Sequence, residues 1–203
     1  MSRIVRIVSR LFFAILGLTA ITTQFIVQIQ NNDSIVNFFS FFTNLSNILA
    51  ALVLLYSAYH LIRRKKPSVL HDSLRGAVFL YMTVVGVVFT LLLRETDLGS
   101  LLPWVNNVLH YILPVFIIVD FFYQPPSVIL PKHIIKYWLI FPVAYLVYSL
   151  VRGPFTHFYP YPFINPANPG GYLSVGLYCL AVLVFFYLLG RVAVWLGNKL
   201  KRA

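Results

Sequence analysis

The chain has 203 residues, of which 60% are hydrophobic and only 10% charged, and its mean hydropathy is +0.82. A soluble domain is about half apolar and about a quarter charged, so this composition excludes an ordinary soluble protein and points to lipid as the solvent. The net charge of +11 would suit nucleic-acid binding, but the placement of the basic residues argues against it.

Six apolar runs reach the length of about 20 residues that a bilayer requires: 11–29, 36–62, 74–93, 104–123, 134–151 and 172–196. The expected fold is therefore an all-α, polytopic six-helix transmembrane bundle, a single domain over 1–203 with no appended soluble unit. The first run follows Arg3, Arg6 and Arg10, as in a signal peptide. It is longer than an ordinary signal h-region and lacks an A-x-A cleavage site, so it is expected to persist as the first helix.

With both termini in the cytoplasm, 14 of the 16 Lys and Arg residues fall on the inner side, and only Arg94 and Arg152 fall outside. That asymmetry is the positive-inside pattern. The basic excess is thus a topology signal and an attraction to anionic headgroups, with membrane lipids rather than nucleic acid as the expected partner. His60, His71 and His133 fall on the inner side, where contact with solvent or headgroups is expected.

The second run enters from the outer side with FFSFFTNLSNIL, and Thr43 lies about 10 Å below the interface at about 1.5 Å per residue. In a continuous helix Ser40, Thr43, Asn44 and Asn47 share one arc with Ala50 and Ala51, while Phe41, Phe42, Leu45, Ile48, Leu49 and Leu52 face lipid. Such a polar arc inside a membrane faces protein or a cavity, although small and polar residues also serve helix packing. The third run ends in Arg94, Glu95 and Asp97, and the fifth in Arg152. Arg94 and Arg152 are candidates for binding a substrate carboxylate, with solvated interfacial charge as the plainer alternative.

In the fourth run, PWVNNVLHYILPVFIIVDFF, His110 reaches the depth of Thr43, with Asn106 and Asn107 on its face. Pro114 deprives the His110 carbonyl of its usual donor, so a bend is expected there. A hydroxyl beside an imidazole is the minimum for nucleophilic acyl transfer: the imidazole removes the hydroxyl proton during attack and later returns it to the leaving group. Amide groups of Asn44, Asn47, Asn106 or Asn107 are candidate oxyanion or substrate-binding donors. Asp120 lies roughly 15 Å further along the axis, too far to orient His110, and an inner polar contact is expected for it. The outer segment 152–171 holds five prolines and many aromatics, and reads equally as an aromatic belt or as a lid over the cavity.

No Cys/His spacing suits zinc and the one cysteine, Cys179, cannot form an internal disulfide. No Gly-rich phosphate loop is present, so neither metal nor organic cofactor is expected.

FFSFFTNLSNIL, LHYILPVF and YPYPFIN together resemble the androgen-induced membrane protein family and its bacterial six-helix relatives, in order along nearly the whole chain. The resemblance implies a transmembrane threonine hydrolase acting on fatty-acid esters of hydroxy fatty acids, with Thr43 as nucleophile and His110 as the essential histidine. It also implies a multi-pass protein of a bacterial inner membrane. The competing expectation is a non-catalytic transporter or lipid-binding protein whose polar residues line an outward-facing cavity.

Overall fold

The computed structural model describes residues 2–96 and 99–201. These form seven helices, six of them long and apolar enough to cross a membrane, and no strand occurs among the described residues. The architecture is that of an all-α, multi-pass membrane protein. The long helices are α1 (Arg3–Gln30), α3 (Phe42–Ile62), α4 (Val69–Leu93), α5 (Pro103–Tyr123), α6 (Ile134–Thr156) and α7 (Gly171–Leu200), and α2 (Ile35–Phe39) is a single short turn before α3.

Helix α1 begins earlier than the apolar run because Ser2 caps it, its hydroxyl accepting from the Val5 N–H, so Arg3, Arg6 and Arg10 are helical. Its buried face is Ala14, Gly17, Ala20 and Gln24. Small residues let two backbones approach where lipid offers no hydrophobic gain from association. Helix α3 likewise buries the small residues Ala50, Ala51 and Ala58 completely, and α1 and α3 form the most extensive helix pair of the bundle. A Cβ on Gly17 would lie 2.7 Å from Leu113 Cδ1, so α5 also uses this seam.

Helix α4 is central, packed by α3, α5 and α7, and carries much of the core, including Leu80, Met82 and Phe79. Phe42 belongs to that core too. It is buried against Phe141 and Tyr145 of α6 and Phe186 of α7, not turned to lipid as a continuous helix implies. Around the perimeter large side chains such as Leu91, Phe155 and Leu173 are more than two-thirds exposed, an outer surface suited to acyl chains rather than to water.

The basic end is closed by a buried ionic cluster. Arg10, fully buried, donates from Nε to Asp120 Oδ1 (2.8 Å) and from Nη2 to Oδ2 (2.9 Å) and to Gln124 Oε1 (2.9 Å). Arg75 Nη2 reaches Asp120 Oδ2 (3.0 Å) and the Gln124 carbonyl (2.6 Å). Asp72 Oδ2 accepts the backbone N–H groups of Ser127 and Val128. Asp120 therefore makes a buried polar contact, joining α1, α4 and α5. His60 and His71 depart from expectation: both are buried, stacked on each other at 4.5 Å, with His71 Nδ1 against Asp72. The carboxylate and the aromatic stack draw them inward; His133 alone of the three is exposed.

Candidate active site

The polar segment around Thr43 is not one helix but a helix that stops and restarts. At the end of α2 the Ser40 hydroxyl donates back to the Val36 carbonyl (2.7 Å), and Phe41 is extended. Two tyrosines of α6 hold this break: Tyr145 donates to the Ser40 carbonyl (3.0 Å) and Tyr148 meets the Ser40 hydroxyl (2.9 Å). Phe41 occupies the N-cap of α3 and has no side-chain oxygen with which to satisfy first-turn N–H groups. Tyr161, from the outer segment, supplies it instead. Its hydroxyl accepts the Thr43 N–H (3.1 Å) and lies 3.2 Å from Thr43 Oγ1, where either oxygen can donate. Loss of water around the Tyr161 phenol pushes its pKa up, which keeps the proton on it at neutral pH. Thr43 thus stands in the first turn of a helix, at its positive end, rather than midway along one.

Opposite, α5 is rebuilt around His110. Residues Val108–Ile112 form a π-helical turn in which the Leu113 N–H bonds to the Val108 carbonyl. Pro114 cannot donate to the His110 carbonyl, so the hydrogen-bond ladder shifts register instead of simply bending. The shift takes Leu113 away from the Leu109 carbonyl, which is freed to accept Asn47 Nδ2 from α3 at 3.3 Å. Asn47 also donates to the Thr43 carbonyl (2.8 Å), so one buried amide locks the Thr43 turn to the His110 turn.

His110 is buried, and its Nδ1 lies 3.2 Å from the Asn106 carbonyl. A carbonyl only accepts, so Nδ1 carries the proton and Nε2 is left as an acceptor. The ring stacks on Phe89 at 3.8 Å. Phe89 opens a second π-helical stretch, Phe89–Leu93, in α4. Two such turns, each rare and often found at functional sites, therefore meet through these two rings.

Thr43, Asn44 and His110 line one cavity of about 650 Å³ at the end of the bundle opposite the ionic cluster. Gln24 and Phe38 contribute on one side, and Phe158, Tyr159 and Tyr161 of the outer segment on the other. That segment is a wall of the cavity, fixed at its start where Tyr159 fills the space over Gly153; a Cβ there would collide with the ring. Thr43, Phe89, Leu93 and Tyr161 also border a smaller apolar crevice of about 70 Å³ among α4, α6 and α7, lined by Val85, Leu146, Val182 and Cys179. No protein-family model matches the chain, and neither does any curated protein or solved structure.

The sequence-selected residues separate in this geometry. Thr43 and His110 face the same space but share no hydrogen bond with each other among the described residues; the Thr43 hydroxyl is held by Tyr161. Asn44 lines the cavity and spends one donor on the Phe38 carbonyl (2.8 Å). Asn47 is fully buried with its donors committed to carbonyls, so it positions rather than meets a ligand. Asn106 serves through its carbonyl, and its buried Oδ1 lacks a partner. Asn107 is exposed on the far face of α5 and contributes nothing to the cavity. Arg94 is largely exposed beside Glu95 (3.6 Å), and neither it nor Arg152 borders the cavity. Arg152 donates to Asn37 Oδ1 (2.7 Å) and lies over Phe158, bracing α6 against the wall. Asp97 lies outside the described residues. No group of three or more His, Cys, Asp or Glu among the described residues is arranged to hold a metal ion.

Tyr161 and Phe89 were not singled out by residue type. The signal for Tyr161 was its proline-flanked place in YPYPFIN. Phe89 carried none, because its role depends on a shift in backbone register.

Proposed function

We propose that this chain is an intramembrane hydrolase of lipid (fatty-acid) esters, with Thr43 as nucleophile and His110 as general base. The observation that carries the proposal is the shared cavity. It presents the Thr43 hydroxyl at a helix N-terminus and an imidazole whose Nε2 is free to accept. The resemblance of FFSFFTNLSNIL, LHYILPVF and YPYPFIN to the transmembrane threonine hydrolases selects the same two residues independently of depth and geometry.

When Tyr161 donates to Thr43 Oγ1, the threonine's own proton is left for the cavity. His110 Nε2 takes that proton, directly or across one water, as Oγ1 bonds to the ester carbonyl carbon. The Thr43 N–H is taken by Tyr161, so the donor offered to the developing oxyanion is the second N–H of the Asn44 side-chain amide, which lines the cavity and spends only one donor on Phe38. The C–O ester bond then breaks, and His110 gives its proton to the departing alcohol. Water attacks the acyl-threonine with His110 again as base; the acid leaves and Thr43 recovers its proton. The apolar crevice next to Thr43 begins a path for an acyl chain from the bilayer. The transport alternative needs a route to the other side, which the Arg10–Asp120–Arg75 cluster obstructs. The distribution of basic residues supports an outward-facing cavity, and the family resemblance supports a bacterial inner membrane.

Turnover of a fluorescent lipid ester by purified protein tests the proposal. Thr43→Ala and His110→Ala should each lower the rate roughly a thousandfold or more while the protein elutes and unfolds as wild type does. Equal residual rates for wild type and both variants would end it.

A further inference from the structure

A second recognition feature lies at the basic end, away from the cavity. Helix α7 has 30 residues, about 45 Å at about 1.5 Å per residue, whereas a hydrocarbon core is about 30 Å thick. Its excess falls beyond the start of α6. Ile135, in the first turn of α6, packs on Gly190, where a Cβ would lie 3.1 Å from Ile135 Cγ2. From Arg191 onward α7 therefore runs past the end of α6 and beside the α5–α6 connection. Pro126 packs on Gly197, and both polar atoms of the Asn198 side chain bond to the Leu130 backbone (2.8 and 2.9 Å).

Between these parts lies a groove of about 590 Å³ bordered by Lys132, Arg191, Val192, Trp195 and Lys199. Its cations are three, and no carboxylate among the described residues pairs with them. Asp72 and Asp120 are engaged in the interior, and Asp33 and Glu95 lie at the opposite end. Arg191 is steadied by the Tyr187 hydroxyl (3.0 Å) and Lys199 lies over the Trp195 ring at 4.9 Å. The floor is apolar yet open: Trp195 is 58% and Val192 46% exposed. A free anion would leave that floor bare, whereas the glycerol and acyl carbons of a lipid cover it.

We propose that this groove binds an anionic phospholipid. Lys132, Arg191 and Lys199 surround its phosphate, and Val192 and Trp195 lie against its glycerol and upper acyl carbons. Basic pockets between helices at the headgroup level are the places where such lipids are recognised, and tryptophan settles at the same level. The groove is separate from Thr43 and His110, so the proposal stands or falls without the hydrolase.

The test reconstitutes the full chain in phosphatidylcholine vesicles containing a minor fraction of phosphatidylglycerol with a spin label high on its acyl chain, and reads tryptophan quenching. Trp195→Phe identifies the part of the signal that belongs to the groove. The expected result is Trp195 quenching by labelled phosphatidylglycerol at least fivefold stronger than by equally labelled phosphatidylcholine. The selectivity should be lost in Lys132→Gln/Arg191→Gln/Lys199→Gln and kept in Arg63→Gln/Arg64→Gln/Lys65→Gln, which removes the same charge elsewhere at that end. Equal quenching by the two lipids would overturn the proposal, as would equal loss in both triple variants, which indicates diffuse surface attraction. Relief by soluble glycerol phosphate would also overturn it in favour of a free phosphate, and a dimer that shields Trp195 from both lipids would assign the groove to a second copy of the chain. If the triple variant fails to fold, the single variants Lys132→Gln and Lys199→Gln serve instead: each should lower the selectivity where Arg63→Gln does not, and equal effects of all three would overturn the proposal.

Discussion

The two ends of the bundle bury the same kinds of side chain in opposite ways. At the basic end Asp72 and Asp120 have every carboxylate oxygen engaged, by arginine, histidine or backbone N–H groups, and the space beside Asp120 is about 10 Å³. At the other end Thr43 and His110 hold one partner each and then face a space some 65-fold larger by the same measure of volume, about 650 Å³. Buried polarity by itself therefore does not mark a reactive site. Nor does unused polar capacity, since Arg10 Nη1, His71 Nε2 and Arg75 Nε are also buried without a partner among the described residues at the basic end. What distinguishes the end that holds Thr43 is that its polar groups line a large cavity, obtained by breaking helices: a stop at Ser40 and π-helical turns at Phe89 and His110.

That contrast breaks most sharply at Asp120. Asp120→Ala strands two buried guanidinium groups, and loss of one partner of a buried charge pair costs about 3–5 kcal/mol. Thermal unfolding in detergent should show a fall of that order or a complete loss of monodisperse protein. An Asp120→Ala protein as stable as wild type would mean the ionic cluster does not close the bundle. A smaller effect is expected at Tyr161, which joins the wall to the restarted helix. Tyr161→Phe removes the partner of both the Thr43 N–H and its hydroxyl. At about 1 kcal/mol per hydrogen bond, ester turnover should fall roughly five- to thirtyfold with a modest loss of stability. Because the Tyr161 phenol is shifted upward, wild-type turnover should show no decline from tyrosine ionisation below about pH 10. The smallest effect sharpens the map of the cavity: Asn107→Ala, on the exposed face, should leave turnover unchanged and stability within about 0.5 kcal/mol.

Much of the fold was legible because hydrophobic run length is a direct consequence of bilayer thickness. All six long helices fall where the apolar runs lie, though most extend further at one or both ends, since helix geometry continues into the headgroup region where charge is tolerated. Ser2 capping α1 and the extension of α7 past Leu196 are examples. The break between α2 and α3 was not legible. Phe41 has no helix-breaking chemistry of its own; two tyrosines more than a hundred residues away stabilise the interruption. Depth and helical arc placed Thr43 and His110 near one another even so, because the restart moves Thr43 to a helix end without turning it away from α5. The same arc misassigned Phe42, which the tertiary aromatic cluster captures. Asn47 and Asn107 show the limit of residue type: two amides of identical chemistry, one locked between carbonyls and the other at the surface. Pro114 did announce trouble in the α5 ladder, but as a bend; the register shift that frees the Leu109 carbonyl depends on Asn47 being there to take it.

The central claim is that Thr43 becomes acylated with the help of His110. It is tested most directly by incubating the purified protein in detergent with a lipid-tailed fluorophosphonate and mapping the modified peptide by mass spectrometry. The expected result is a single adduct on Thr43 that is lost in Thr43→Ala and strongly diminished in His110→Ala. An adduct on another residue, or Thr43 labelling indifferent to His110, would contradict it.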